Sequence, residues 1–519
     1  MNAASTSGPE QGELCTAVAR LVGTALAALP PGAAAPGSGP GSVVGALEAV
    51  RDRLAEGRLR IAVGGRMNAG KSTLVNALLG QRLAATDATE CTTVVAWFRR
   101  GVQNKVRVRR LDGRAYDVPA HPGGGIPRDP GRLGSPPEEI AELFVDITSS
   151  ELTRRHILID TPGMDTLSGL DDVALRALAQ ADALLYVMPH PGAGDAEALQ
   201  SLRRQAGPRM TAMNVLGVLS RIDELGTGTG PPWPRARRVA ATYATRLTGM
   251  VSHIVPVVGL LAQTAGGDEF TEDDTALLRR LTEVPRESLE EALYSPEEFA
   301  EWADGPLDKA GRLRLLDLLG TYGTALAVDL LTGADGGPAV RGTGALLDRQ
   351  RAASGLDALV REIQVRFVSA ADRLRAASAL QALDDLALAV PGATADPAVR
   401  DTLAALRSDV AALRRHPLLR QTELGSALAE LASGTLSLGD TDAAALVALA
   451  TGTDAAACLR LPPDAPAHDI ARTAAEAAAG WRVREASGPR PLRRHARTAR
   501  ELCEEFHFRS AERAGHQSG

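Results

Sequence analysis

The stretch GGRMNAGKSTLVNALLG at residues 64–80 constrains this chain more than any other. Before it stands LRIAV (59–63), a short apolar run with β-branched residues that reads as a buried strand. After Gly70 comes STLVNALL, apolar at helical spacing. Gly65-x4-Gly70-Lys71-Ser72 therefore sits at a strand-to-helix turn, the context a P-loop requires. Glycines let the backbone curl until several N–H groups point inward, and the helix N-terminus adds the positive end of its dipole. The expected phosphate cradle is Gly65, Asn68, Ala69, Gly70, Lys71, Ser72 and Thr73. In it Lys71 reaches the β- and γ-phosphates and the Ser72 hydroxyl ligates Mg²⁺.

Two later segments follow in the order such a site needs. HILIDTPGMDTL (156–167) is an apolar strand ending in Asp160, then Thr161-Pro162-Gly163. Asp160 is expected to hold Mg²⁺ through water, and the Gly163 N–H to sense a γ-phosphate. Upstream, TDATECTTVVAW (86–97) offers hydroxyls just before a strand. Thr92 is the expected metal and γ-phosphate ligand there, with Thr93 second. NVLGVLSRIDEL (214–225) places Asp223 beyond a strand end, where its carboxylate can accept from the ring N–H and exocyclic amine of guanine. Adenine presents no such donor pair, so the expected substrate is GTP. Ser220 opens this motif, and Arg221 is expected to stack its guanidinium on the purine.

Composition narrows the partners. The net charge of −6 argues against a general nucleic-acid binder, and 45% hydrophobic with 23% charged residues is ordinary for a soluble globular chain. Cys15, Cys91, Cys458 and Cys503 lie far apart, without zinc-like spacing, and suit a reducing cytosol. Met1–Gly12 is polar and reads as no signal peptide. The apolar run 315–333 is interrupted by Asp317 and Asp329 and reads as a buried bundle helix rather than a membrane span.

Strands are expected at 59–63, 93–98, 105–111, 142–147, 156–160, 183–188, 214–220 and 253–258, alternating with helices. Beyond about 263 only helical runs follow, among them 308–331, 344–369, 370–388, 397–413 and 491–513. The expected fold is an α/β P-loop GTPase domain, a mostly parallel sheet flanked by helices, followed by an all-α bundle or stalk. The divisions are 1–57 (helices joined by the Pro/Gly/Ser linker 30–42), 58–265 (GTPase domain) and 266–519 (helical region).

GRMNAGKSTLVNALLG, DTPGMDTL and SRIDEL resemble the nucleotide motifs of bacterial dynamin-like GTPases. TDATECTTVVAWFRRG (86–101) with VPVVGLLAQTA (255–265) is similar to the isoniazid-inducible dynamin-like proteins of actinobacteria, IniC-like members in particular. The resemblance implies a GTPase head on a helical stalk, with 10–29 and 43–56 packing on 491–513 as a neck. It also implies self-association through the heads, a second dynamin-like partner, and peripheral contact with the inner face of the plasma membrane from the cytoplasm. Ser220 and Arg221 depart from the usual Asn-Lys of the guanine motif, and Gly259 stands where the last guanine-contacting loop would be.

Catalysis is expected to rest on Lys71, Ser72, Thr92 and Asn68. The position that carries a water-orienting Gln in many small GTPases is Met164. The loop also resembles that of cation-dependent MnmE enzymes, which implies K⁺ beside Asn68; hydrogen bonding within the loop is the plainer role for that residue. Arg66 as an arginine finger, His190 as a dimer contact and the arginines of 490–506 as a lipid contact are each weaker than an ordinary surface role. Asp195 reads as a helix cap. A soluble regulatory GTPase of the Era/MnmE class, or a slow nucleotide-binding scaffold, fits the same motifs.

Overall fold

The computed structural model describes residues 12–517, apart from 31–41, 85–93, 122–124, 128–129, 149, 164–171, 190–191, 207–212, 226–230, 248–249, 390–395, 433–435 and 453. Its centre is a nine-stranded sheet: β1 (Leu59–Gly65), β2 (Val95–Arg100), β3 (Lys105–Arg110), β4 (Ala115–Val118), β5 (Ile140–Ile147), β6 (His156–Asp160), β7 (Ala183–Met188), β8 (Val215–Leu219) and β9 (Ile254–Pro256). The strand order is β4-β3-β5-β2-β6-β1-β7-β8-β9. β6, β1, β7, β8 and β9 run parallel, whereas β2 meets β6 antiparallel. The carboxyl ends of β1, β6, β8 and β9 thus share one edge, where open α/β sheets bind ligands.

Sequence explains the division. β7 (ALLYVM) and β8 (VLGVL) are buried throughout, as strands covered on both faces must be. β3 (KVRVRR) alternates buried and exposed positions, with only its valines buried. The strand unforeseen from sequence is β4. Asp112-Gly113, with Gly113 at φ 85°, turns β3 back into it, and Arg110 N–H donates to Arg114 O at 2.9 Å.

Two apolar cores cover the sheet. One joins Ile159, Leu184 and Tyr186 to helices that continue as far as Leu346; the other joins Ile61, Val63 and Leu185 to Leu356–Leu374. The packing of the sheet therefore continues past residue 265. The helix Lys309–Thr332 is long and apolar enough to cross a membrane by length and composition, yet Leu315, Leu318, Leu319 and Ala327 lie in the first core. It breaks at Gly320, where φ is 66°.

The neck differs from the implied pairing. Helix α1 (Glu13–Ala28) and helix α2 (Val43–Glu56) pack against Ala371–Ala389 and Pro397–Leu413. The last helix, Arg490–Gln517, instead shares a core with Pro417–Ala432, Asp440–Thr451 and Ala467–Ser487. Its apolar stripe (Leu492, Ala499, Cys503) packs with Trp481 and Ala474, whereas α1 shares a different core with Leu380, Leu383 and Leu403. Asp372 anchors α1 in its place: its carboxylate accepts from the N–H groups of Leu14 and Cys15, both at 3.0 Å.

Two bonds from a helix start to one carboxylate have the strength of a good N-cap. Asp372→Ala is expected to lower unfolding free energy by about 1–2 kcal/mol in urea titrations, with Asp372→Asn retaining part of it. No loss in the alanine variant would mean that α1 is held by its apolar stripe alone.

Candidate functional site

β1 delivers the loop to the sheet edge. Gly65 pairs with Val187 of β7, and at φ 150° a Cβ on it would collide with the Val187 carbonyl oxygen. Asn68 follows at φ 57°, a left-handed conformation that Asn tolerates, and Gly70 at φ 85° opens helix α3 (Lys71–Leu79). The tripeptide Arg66–Asn68 is exposed, whereas Ala69 is buried. Among the described residues the Asn68 side chain has no hydrogen-bond partner. The Arg66 guanidinium lies toward Gly194, at the start of the helix Ala193–Ala206.

Behind the loop three polar groups meet. Lys71 is 8% exposed and its Nζ donates to Arg66 O at 3.0 Å. The Ser72 hydroxyl donates to Asp160 Oδ2 at 2.9 Å, while Asp160 Oδ1 is buried with no hydrogen-bond partner among the described residues. Burial pushes the Asp160 carboxyl up to about 6, against the opposing pull of Lys71 and Ser72. Burial likewise draws the Lys71 ammonium below its usual range, and Asp160 opposes the shift. A hydroxyl beside a carboxylate with one oxygen unclaimed is a hard-oxygen donor set, the kind that suits Mg²⁺.

The remaining expected residues fall around this loop. Thr161 Oγ1 donates to Val63 O at 2.8 Å, which ties the exit of β6 to β1. Gly163 passes so close that a Cβ would stand 2.8 Å from Met67 Cα. Ser220 donates to Ala69 O at 2.7 Å, so the shorter hydroxyl bonds the P-loop directly. Arg221, at φ 50°, pairs with Glu224 at 2.9 Å, and burial raises the Asp223 carboxyl above its usual range. Gly259 faces Thr73, 3.5 Å from a Cβ to Thr73 Cγ2. Asp195 is the third residue of the helix Ala193–Ala206 rather than its N-cap: it reaches back to accept from the Gly192 N–H at 2.9 Å, the N3 half of a capping box, and also accepts from Tyr186 Oη at 3.3 Å. Thr92, Thr93, Met164 and His190 lie outside the described residues.

Sequence reasoning missed the groups that hold the segment after β9. Val258 N–H donates to Ser354 O at 2.9 Å, and a Cβ on Gly355 would stand 2.6 Å from Pro256 O. The available signal was Ser354-Gly355, a break inside an otherwise helical run, and the structure places Gly355 at φ 81°.

A parallel sheet, a phosphate-cradle turn at its central strand and carboxylates on the neighbouring strand ends define a P-loop GTPase. The dynamin family model matches residues 61–222. Over 488 residues, 90% of this chain and 94% of the relative, the sequence is 35% identical to the isoniazid-induced protein IniC of Mycobacterium tuberculosis. It is 28% identical over 154 residues to the bacterial dynamin-like protein of Nostoc punctiforme, covering 26% of this chain and 21% of that one. A solved structure of an oligomerised bacterial dynamin pair aligns over 97% of this chain and 74% of that one, at 14% identity and a TM-score of 0.30, too loose to argue from. The chain belongs to the dynamin family of GTPases, as an IniC-like bacterial dynamin-like protein.

Gly65→Ala combines a disfavoured φ with a backbone collision and is expected to cost about 2–4 kcal/mol or prevent soluble folding, read by denaturation and soluble yield. A variant as stable as the parent would mean that β1 and β7 separate freely at this point.

Proposed function

We propose that the chain binds Mg²⁺·GTP at this edge and couples its hydrolysis, through paired heads, to movement of the helical region against a membrane. The observation that carries the reading is the Ser72–Asp160 pair, whose buried second carboxylate oxygen, beside Lys71, is unclaimed among the described residues. Ser72, Asp160 and Thr92 would hold Mg²⁺, which when bound offsets charge on the β- and γ-phosphates. Lys71 leaves the Arg66 carbonyl for the phosphates, and the backbone of Gly65, Asn68, Ala69, Gly70 and Thr73 surrounds them. Gly163, close against Met67, offers its N–H to the γ-phosphate. Ser220 holds the loop, Arg221 covers the purine, and Asp223 reads its N–H edge.

Asn68 is the residue assigned to K⁺, supported by its exposed side chain, which has no partner among the described residues, with head-to-head pairing completing the site. A second dynamin-like protein is the fitting partner in such an assembly. The division into neck helices 1–57, head 58–265 and helical region 266–519 belongs to this reading as a division of the sequence, the helices up to Leu374 packing on the head's sheet, as does a cytoplasmic chain touching the inner face of the plasma membrane. Membrane contact is supported by the distal turn of the hairpin Ala467–Ser487/Arg490–Gln517. There Arg490, Arg493 and Arg494 are exposed, while Arg497 and Arg500 pair with Glu485.

Asp223→Asn replaces an acceptor pair by one acceptor and one donor. Its kcat/KM for GTP should fall at least roughly a hundredfold, with xanthosine triphosphate becoming the better substrate, since xanthine carries a carbonyl where guanine has its amine. Unchanged preference would remove Asp223 from base recognition.

Steady-state GTP turnover with and without anionic liposomes, in K⁺ and in Na⁺, tests the rest. Several-fold stimulation by liposomes, lost on Arg490, Arg493 and Arg494→Ala, is the expected result. Turnover indifferent to lipid would favour a soluble regulatory GTPase. Equal rates in K⁺ and Na⁺ at every protein concentration would sink the cation and head-pairing assignment.

A further inference from the structure

The helix Gly259–Gly266 lies in step alongside α3. Gly259 faces Thr73, Gln263 reaches Asn76, and Gly266 abuts Gly80, a Cβ there standing 3.3 Å from Gly80 Cα. The contacts recur one helical turn apart, so the two helices run parallel. Both begin at the nucleotide edge, α3 behind the phosphate loop and its neighbour just after β9.

Asn76 is the polar member of the run Leu74–Leu79 (LVNALL) and is fully buried. Its Oδ1 accepts from the N–H groups of Leu83 and Ala84 at 2.8 and 2.7 Å. Its Nδ2 donates to Ala84 O and to Gln263 Oε1, each at 3.1 Å. The Gln263 amide stands between this donor and the Arg82 guanidinium. Turned over, its oxygen accepts from Arg82 Nε and Nη2 at 2.8 and 3.2 Å. Either orientation ties the second helix to α3 or to the loop that Asn76 holds, and Arg82 continues to Glu269 at 2.7 Å.

We propose that Asn76 and Gln263 are positioning residues that fix the span between the phosphate end and the base end of the site. The inference rests on the reading that GTP lies along this edge. A ligand that bridges both ends gains only if they stand at the right separation, whereas a ligand confined to one end is indifferent to it. No other side-chain bond among the described residues joins α3 directly to the Gly259–Gly266 helix, and Ser220 secures only the loop ahead of α3.

Calorimetric titration of the full chain with Mg²⁺·GDP and with Mg²⁺·inorganic triphosphate tests this, alongside melting curves. Gln263→Leu keeps the hold of Asn76 on Leu83 and Ala84 and removes what the Gln263 amide bonds, Asn76 in one orientation and Arg82 in the other. GDP should bind about tenfold more weakly, while inorganic triphosphate binds as before. Gln263→Glu, which keeps an acceptor facing both donors, should restore GDP affinity. Gly266→Ala, which pushes the helices apart at their far end through a different contact, should give the same selective loss at smaller size.

Equal loss of both ligands, or a lowered melting temperature with both affinities intact, overturns the proposal and leaves a structural role. Failure of the unsubstituted protein to bind GDP overturns it together with the nucleotide reading, and is told apart because it precedes any substitution.

Discussion

β1 is hydrogen-bonded along both edges, to β6 and β7, and Ile61, Ala62 and Val63 are wholly buried. A strand in that position cannot shift by one residue without turning its apolar side chains between two different cores. The loop that leaves it inherits this fixity. Lys71, Ser72 and Asp160 meet because β1 and β6 are paired in one register, Val63 opposite Asp160. The cost is a buried carboxylate with one oxygen unclaimed among the described residues.

The legible parts of the chain are those whose partners lie within a few residues. Gly65, Gly70 and Lys71 share one turn, and an apolar strand ending in Asp160 announces its own place. The seven strands other than β4 and β9 are long or apolar enough to be read, and β9 was read longer than its three residues. β4 was legible in retrospect from Asp112-Gly113, but AYDV has too few apolar residues to stand out. The neck shows the opposite case. The amphipathic patterns of α1 and Arg490–Gln517 say that each needs a partner, and nothing in either pattern says which. Asn76 and Gln263 lie 187 residues apart, so their meeting is a property of the fold alone.

The helices on either side of the 58–265 segment are tied to the head and to each other through α2. Arg53 of α2 reaches Asp182 at the start of β7 at 2.5 Å, with the carboxylate side chain only 1% exposed. Arg375 donates to Leu54 O at 2.6 Å where α2 ends at Gly57. Removing one partner of such a buried pair strands a charge, at a cost of roughly 3–5 kcal/mol, although the intact pair adds little net stability. The contact therefore acts as an alignment pin between α2 and the sheet more than as a source of stability.

The break in Lys309–Thr332 bears on how hydropathy is to be read in relatives of this chain. A straight helix of that composition would be mistaken for an anchor. At about 1.5 Å per residue, however, each half on either side of Gly320 reaches roughly 16–18 Å, little more than half a hydrocarbon layer. Beside the break, Thr264 donates to Leu318 O. Lipid tails have no hydroxyl to offer in that place. A glycine and a threonine 56 positions apart thus convert a stretch with the credentials of a membrane span into a bent strut inside the head.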